Sequence, residues 1–395
     1  KPNIDICDKN SAASFVKKKK PRLETRGLPE IDYLFIPHNH YHAKSFIRIA
    51  DRLKSSGISC RILDTTTIHP NEGQYIEASS SLYISIYVLL AEAFIPRAIV
   101  TMNDWEPHIA GKLVEWANSR GLATYGIVEG VNDFYDVDTK LNRRAYQKVR
   151  NLFLNGDFDR KYFSDAKQRL EVVGIERLGE VFAKSSANKT KRQASKALVN
   201  CNFTYGVLSD KAQEWIKDVG LASKAHGLSV IITKHHADLT DTGEFSVTSR
   251  PLYDELLESG IFITRFSGAV FEAIVAGCAV IYYNPNIEKI DKFIDPLGAY
   301  LYADCFDELS AAIKKIVSGW TPTIDKFLDL HAGSVYSQSS DSDFSLRKIE
   351  SLLLNDALEN KNKVKKDLRG GHVYFDARFN KWRLGIYEKL ISHKQ

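Results

Sequence analysis

The chain has 395 residues, of which 44% are hydrophobic and 26% charged, with a formal net charge of +5 and a sequence pI near 8.7. That length is too great for one compact core and suits two. The mild basic excess carries no nucleic-acid signature and fits anionic small substrates or weak attraction to an anionic membrane surface, and the longest apolar run, residues 82–95, is broken by Ser85 and Glu92, which excludes a spanning helix there.

Residues 1–30 are polar and include the run Lys17-Lys18-Lys19-Lys20-Pro21-Arg22, expected first as a solvated flexible arm, with contact to anionic lipid or a partner domain the alternative. From Ile31 strands and helices alternate. Residues 33–37 read as a strand, 42–56 as a helix stopped at Gly57, 60–63 and 98–102 as strands, 105–120 as a helix stopped by Gly121, and 122–128 and 152–155 as strands. Alternation of this kind predicts a parallel sheet covered on both faces. Residues 182–196 hold almost nothing apolar, so 184–196 is expected as a linker. The pattern then restarts, with strands at 197–201 and 228–233 and helices at 210–226 and 251–259. A strand, a Ser-Gly turn, a helix and a strand over 261–283 come next, and then a helix at 306–318. Residues 345–362 and 377–391 read as terminal helices. The expected architecture is α/β: two doubly wound Rossmann-like domains facing a cleft. Its parts are an arm (1–30), a first domain (31–183), the linker (184–196), a second domain (197–335), and C-terminal helices (336–395) packing back on the first domain.

Five cysteines, Cys7, Cys60, Cys201, Cys278 and Cys305, are scattered without CxxC spacing. Thiols in a reducing compartment are expected, and a zinc site is not. No signal-peptide pattern opens the sequence, so a cytoplasmic location is expected, with peripheral contact at a membrane's inner face as a further option.

Polar loops at the carboxyl ends of parallel strands collect ligands. The first strand runs into Pro37-His38-Asn39-His40-Tyr41-His42. Carboxylate partners at ligand spacing are missing, so the loop reads as acceptor-binding, through His38 and His40, and no metal is expected. Asn103-Asp104-Trp105-Glu106-Pro107-His108 holds the equivalent place after another strand. Asp104 suits a helix N-cap, Trp105 a sugar-stacking platform and Glu106 the cleft, and all three are expected to bind the acceptor. Glu129 ends an apolar strand beside Gly130 and is the leading carboxylate for acid/base or acceptor-orienting work, with Asp157 a weaker candidate. In the second half the loop 199–206, with Asn202, and Lys234-His235-His236 end successive strands. Lys234, His235 and His236 suit a phosphate or carboxylate. Ser267-Gly268 opens a helix whose free N–H groups would seat a phosphate, with Arg265 just before it and Glu272 one turn in to accept ribose hydroxyls.

The segment 230–285, with its Lys-His-His loop, the Leu-Tyr-Asp-Glu-Leu-Leu helix at 252–257 and the Ile-Thr-x-Phe-Ser-Gly-x-x-Phe-Glu-Ala block at 263–273, resembles the donor domain of GT-B glycosyltransferases of bacterial surface polysaccharide assembly. The whole chain is most similar to the retaining β-Kdo transferase domains that use CMP-β-Kdo for O-antigen or capsule synthesis. The resemblance implies a donor site including Thr264, a catalytic set at Glu129, Asn202 and His235, double displacement, and no cofactor or metal beyond the CMP-Kdo substrate. It implies a lipid-linked glycan acceptor as the other partner. One departure stands out: the family carries a carboxylate nucleophile where this chain has Asn202. An aspartate-to-asparagine variant at 202 reconciles the two; a shifted alignment or retention by another route would also do so. An inverting transferase, a sugar-nucleotide 2-epimerase of the same fold and a catalytically silent binding module are the alternatives.

Overall fold

The computed structural model describes residues 30–64, 83–85, 95–102, 104, 109–130, 135–136, 141–142, 145–163, 167–187, 193–204, 207–235, 238–333 and 342–367. The basic run 17–22, Trp105, Glu106, His108, His236 and the terminal segment 377–391 lie outside these residues, as does the side chain of His40.

Strand β1 (Glu30–Ile36) is buried without a break from Ile31 to Ile36, mostly by apolar side chains, the mark of a strand covered on both faces. It leads through Asn39 into α1 (His40–Ser55); the Asn39 side chain accepts the His42 N–H at 3.0 Å and caps the helix. There follow β2 (Cys60–Asp64), β3 (Tyr83–Ser85), β4 (Ile95–Thr101), α2 (Ile109–Ser119), β5 (Ala123–Ile127), the short antiparallel pair β6 (Tyr135–Asp136) and β7 (Leu141–Asn142), β8 (Asn151–Leu154) and β9 (Arg169–Val172). The first sheet is parallel in the order β3-β2-β1-β4-β5-β8-β9. The chain reverses its winding between β1 and β4, which opens a crevice at their carboxyl ends.

After β9 comes α3 (Leu178–Ala187), then β10 (Gln193–Asn200), α4 (Ala212–Ala225), β11 (Ser229–Thr233), α5 (Leu252–Glu258), β12 (Ser259–Thr264), α6 (Ala269–Ala276), β13 (Ala279–Tyr283), β14 (Leu301–Ala303), α7 (Phe306–Val317), α8 (Asp325–Ala332) and α9 (Phe344–Asp367). The second sheet is parallel, β11-β10-β12-β13-β14, with its switch point between β10 and β12. Helix α6 stops at Gly277, whose φ of 85° closes the last turn at low cost.

The stretch expected as a linker, 184–196, is helix as far as Ala187 and strand from Gln193. Its Lys and Ser residues are the wet face of α3, while Leu178 and Val181 join the second core with Val270, Phe271 and Phe262. Helix α9 sends Leu346, Ile349, Leu353 and Ala357 into the first core beside Tyr33, Phe46 and Tyr125. Each such leucine or isoleucine contributes about 1.5–3 kcal/mol by burial. Tyr33 donates to the Leu353 carbonyl at 2.5 Å, and Arg52 pairs with Glu350 at 2.8 Å.

The two sheets meet by their carboxyl-end loops. The turn after β8 (Asp157–Phe163) lies against the loop after β13 and against α8, through Lys161–Asp291 at 2.9 Å and a fully buried Lys292–Asp159 pair at 2.8 Å. Neither atom of that pair has an aligned hydrogen bond, so its attraction is that of two close charges. His331 of α8 is wedged between Phe158 and Phe327, with ring centroids 4.4 and 4.6 Å away. Among the described residues no helix is long and apolar enough to cross a membrane.

Candidate functional site at the interdomain crevice

The first domain contributes Glu129. Strand β5 delivers it past Val128, and its placement is relayed from behind. Asp104, 2% exposed, accepts the Tyr146 N–H at 2.7 Å and the Lys148 N–H at 2.8 Å. These bonds hold Tyr146 at a φ of 59°, a left-handed conformation that a bulky residue keeps only when its surroundings impose it. The Tyr146 hydroxyl then donates to the Met102 carbonyl at 2.6 Å and accepts the Glu129 N–H at 3.2 Å. Asp104, expected to bind acceptor, is therefore consumed as an anchor; both its oxygens serve the loop at 145–149. Burial pushes its carboxyl up, against the pull of those N–H donors.

The Glu129 side chain keeps 36% of its surface while Oε2 meets His42 Nε2 at 2.7 Å. His42 is 1% exposed, and its Nδ1 accepts the His38 N–H at 3.2 Å. A ring nitrogen that accepts carries no proton, so Nε2–H is the donor to Glu129. Burial raises the Glu129 carboxyl; His42, Arg177 and His38 together outweigh it and leave it at about 2. It is ionised at neutral pH and a weak base. Beside it, Tyr41 is half exposed, and its phenol is raised by burial and by the Glu129 charge.

The residue that joins the halves is Arg177, in the connector between β9 and α3. Its Nε donates to Glu272 Oε1 at 2.6 Å and Nη1 to the Glu129 carbonyl at 3.1 Å. Nη2 packs against Gly268: a Cβ there would stand 2.9 Å from it, so a larger residue would displace the guanidinium. Burial disfavours its charge, but Glu272 and Glu129 more than restore it. The neighbouring Glu176 is held by Ser45 and, at 2.9 Å, by Arg48 of α1. Glu272 is 4% exposed, and its Oε2 has no hydrogen-bond partner among the described residues. Asn200 Oδ1, at the end of β10, is likewise buried and unsatisfied there. A buried carboxylate oxygen left unpaired costs free energy, so a ligand donor is the natural complement.

The start of α6 differs from expectation. Ser267 Oγ accepts the Ala269 N–H at 3.1 Å, the Ser267 carbonyl accepts Val270 N–H at 3.2 Å, and the Gly268 carbonyl accepts Phe271 N–H at 3.1 Å. The first-turn amides are satisfied within the turn, Ala269 by the Ser267 hydroxyl and Val270 and Phe271 by the carbonyls three residues back. Any anion here meets the Arg177 guanidinium and the Ser267 hydroxyl instead.

Several expected residues are spent on structure. Arg265 is 1% exposed, grips Glu288 with two bonds at 2.6 and 2.5 Å, donates to the Asn202 carbonyl at 2.9 Å, and lies over the rings of Phe203 and Phe266. Thr264 is fully buried and donates to the Arg265 carbonyl. Lys234 donates to the Thr240 carbonyl at 2.5 Å. His235 is half-buried, and its carbonyl accepts Asp238 N–H. Asn202 has a φ of 51°, which asparagine tolerates, and its amide donates to the Phe266 carbonyl. An aspartate in that place would point an oxygen at a carbonyl, so this asparagine has a structural job of its own. Cys201 next to it is no nucleophile; burial and Asp238 push its thiol up to about 12. Asp157 is exposed and paired with Arg160. The described cysteines are thiols, with Cys60, Cys201 and Cys278 buried and Cys305 exposed. Asp304, Cys305 and Glu308 cluster on the surface, where Glu308 accepts the Asp304 N–H in a helix-capping arrangement.

Reasoning from residue types missed Arg177 and gave His42 no role. Both were signalled weakly: Glu176-Arg177 is a charged pair inserted among apolar residues at a strand's carboxyl end, and His42 is the one histidine of its loop three residues beyond a good N-cap.

Two doubly wound parallel domains opposed through their carboxyl-end loops make the GT-B arrangement. Solved structures of that class superpose on the chain. UDP-GlcNAc 2-epimerase from Methanocaldococcus jannaschii, in complex with UDP-GlcNAc and UDP, does so with a TM-score of 0.55 and 12% identity over 83% of this chain and 100% of its own. UDP-GlcNAc 2-epimerase from Neisseria meningitidis bound to UDP-GlcNAc gives 0.54 and 12% over 84% and 100%. The H444N form of the wall teichoic acid polymerase TagF with CDPG gives 0.52 and 12% over 85% and 91%. At such identity the likeness speaks for the fold. No protein-family profile and no curated protein sequence matches the chain.

Proposed function

We propose that the chain is a glycosyltransferase acting on a nucleotide-activated sugar, with the donor on the second domain and a hydroxylated acceptor at Glu129. The observation that carries the reading is the Arg177–Glu272–Gly268 cluster. It sets a guanidinium and a buried, unsatisfied carboxylate oxygen side by side at the seam of two opposed sheets. The guanidinium and Ser267 hydroxyl complement a phosphate, and Glu272 Oε2 complements ribose hydroxyls. As the phosphate leaves, Arg177 stabilises its growing charge, and Glu129 fixes the attacking hydroxyl. The nucleotide is itself a good leaving group, so the reading calls for no metal.

Transfer is favoured over 2-epimerisation by one feature. Epimerisation must break a C–H bond beside the anomeric carbon, and Glu129, with Oε2 tied to His42 and its carboxyl held below the usual carboxylate range, is a poor base for that. It suits hydroxyl positioning and stabilisation of positive charge at the anomeric carbon. The finer reading, transfer of Kdo from CMP-β-Kdo to a lipid-linked glycan at the inner membrane face, is supported by the resemblance of the whole chain to β-Kdo transferase domains. Retention by double displacement at residue 202 gains nothing from Asn202, whose amide is engaged with Phe266. The test is calorimetric titration with CMP, CDP and UDP, followed by mass spectrometry of a synthetic glycan incubated with CMP-Kdo and with UDP sugars. Saturable nucleotide binding lost in Arg177→Leu, together with a glycosylated product, is expected. Absence of nucleotide binding at millimolar concentration overturns the reading.

A further inference from the structure

The Glu129 carboxylate is half committed. Oε2 is held by His42, while Oε1 meets no hydrogen-bonding group among the described residues and faces accessible space. His42 is itself fixed at three atoms. Its N–H is tied to Asn39 Oδ1 at 3.0 Å, its Nδ1 accepts from His38 N–H, and its Nε2 donates to Glu129. The cap of α1 thus sets the imidazole, and the imidazole sets the carboxylate. At 1% exposure the ring cannot reach a substrate. We propose that His42 is a positioning residue that locks one oxygen of Glu129 and aims the other at a hydroxyl of a polyhydroxylated acceptor. The role rests on the transferase reading; the lock does not.

The groups facing Glu129 are His38 from the loop before α1, Tyr41 and His42 from its first turn, and Arg177 from the connector. Arg177 reaches the backbone carbonyl of Glu129, so His42 is the side chain bonded to the carboxylate. Two substitutions separate the lock from mere filling of space. Glutamine places its amide nitrogen near the position of Nε2 and keeps the donor. Asparagine is polar and small, but its amide nitrogen reaches only the position of Nδ1.

The experiment follows the Glu129 carboxyl by carbon-13 NMR in protein labelled at glutamate side chains, with Glu129→Gln to assign the signal. Wild type is expected to titrate near the acid end, at about 2, and His42→Gln, which keeps the donor but carries no charge, above wild type and below His42→Asn. In His42→Asn the midpoint rises by about 1–2 units, as a carboxylate does when it loses a charge-favouring donor. In transfer assays His42→Asn loses about 100-fold in kcat, with the donor KM held, and His42→Gln recovers most of it. An unchanged Glu129 midpoint in His42→Asn, or glutamine behaving as asparagine, overturns the lock. Absent transfer in wild type with the NMR shifts as expected overturns the transferase reading and leaves the lock standing.

Discussion

Replacing Lys292 with methionine tests whether the two domains are held by a dry charge pair. Lys292 and Asp159 are each 1% exposed and 2.8 Å apart, one from each domain. At an effective dielectric of 20 their attraction is about 6 kcal/mol, roughly what it costs to bring both out of water. The intact pair is therefore close to neutral for stability. Removing the lysine alone is another matter. Asp159 would keep only the Asn155 N–H at 3.2 Å and remain a buried, uncompensated anion. The expected loss is about 3–5 kcal/mol, a large part of a typical total of about 5–15. Urea unfolding of Lys292→Met, Asp159→Leu and the double variant measures it, and the double variant should regain most of the loss. A cost below about 1 kcal/mol for Lys292→Met would refute the reasoning, since it would mean that water reaches the pair.

Gly268→Ala should weaken nucleotide binding about tenfold, because the new methyl group meets Arg177 Nη2 at 2.9 Å and pushes the guanidinium off Glu272; calorimetry reads it. Arg177→Lys should fail to rescue binding, since an ammonium cannot hold Glu272 and the Glu129 carbonyl together as the planar fork does. His331 is held down at about 3, first by burial and then by Lys292 and Lys161. Its folded value lies below the unfolded one, so its contribution is complete above about pH 6.5 and lost as pH falls from there toward 3. The slope of denaturation midpoint against pH between 6.5 and 4 should flatten in His331→Phe. Asn202→Asp should destabilise the protein by about 1–3 kcal/mol, because the carboxylate would face the Phe266 carbonyl. It should form no glycosyl adduct by intact mass if residue 202 is structural.

The alternation of strand and helix was readable because both sheets are parallel and buried on two faces, so their strands appear as apolar runs such as 31–36 and 261–264. Strand β9 (Arg169–Val172) was not, since an edge strand with no fully buried side chain carries no such run. The end of helix α3 reads as linker because its last turn carries Lys184, Ser185 and Ser186, while the apolar residues that anchor it, Leu178 and Val181, come before that stretch. The site was legible where a strand ends in a lone carboxylate, as at Glu129, and at Glu272. It was illegible where function depends on partners far apart in sequence. Nothing near Arg265 announces that Glu288 consumes it, and nothing near Arg177 announces that it reaches both Glu129 and Glu272. Asp104 shows the same limit, with its partners some forty residues downstream.

Because α9 rejoins the first core, the second domain is an insertion within the first, tethered by two chain crossings rather than one. A body hung from a single thread can swivel in any direction; one hung from two turns chiefly about the line between its attachments. Relative motion of the halves is thereby reduced toward a single degree of freedom, with Arg177 at one attachment and the α8 contact with residues 155–158 near the other.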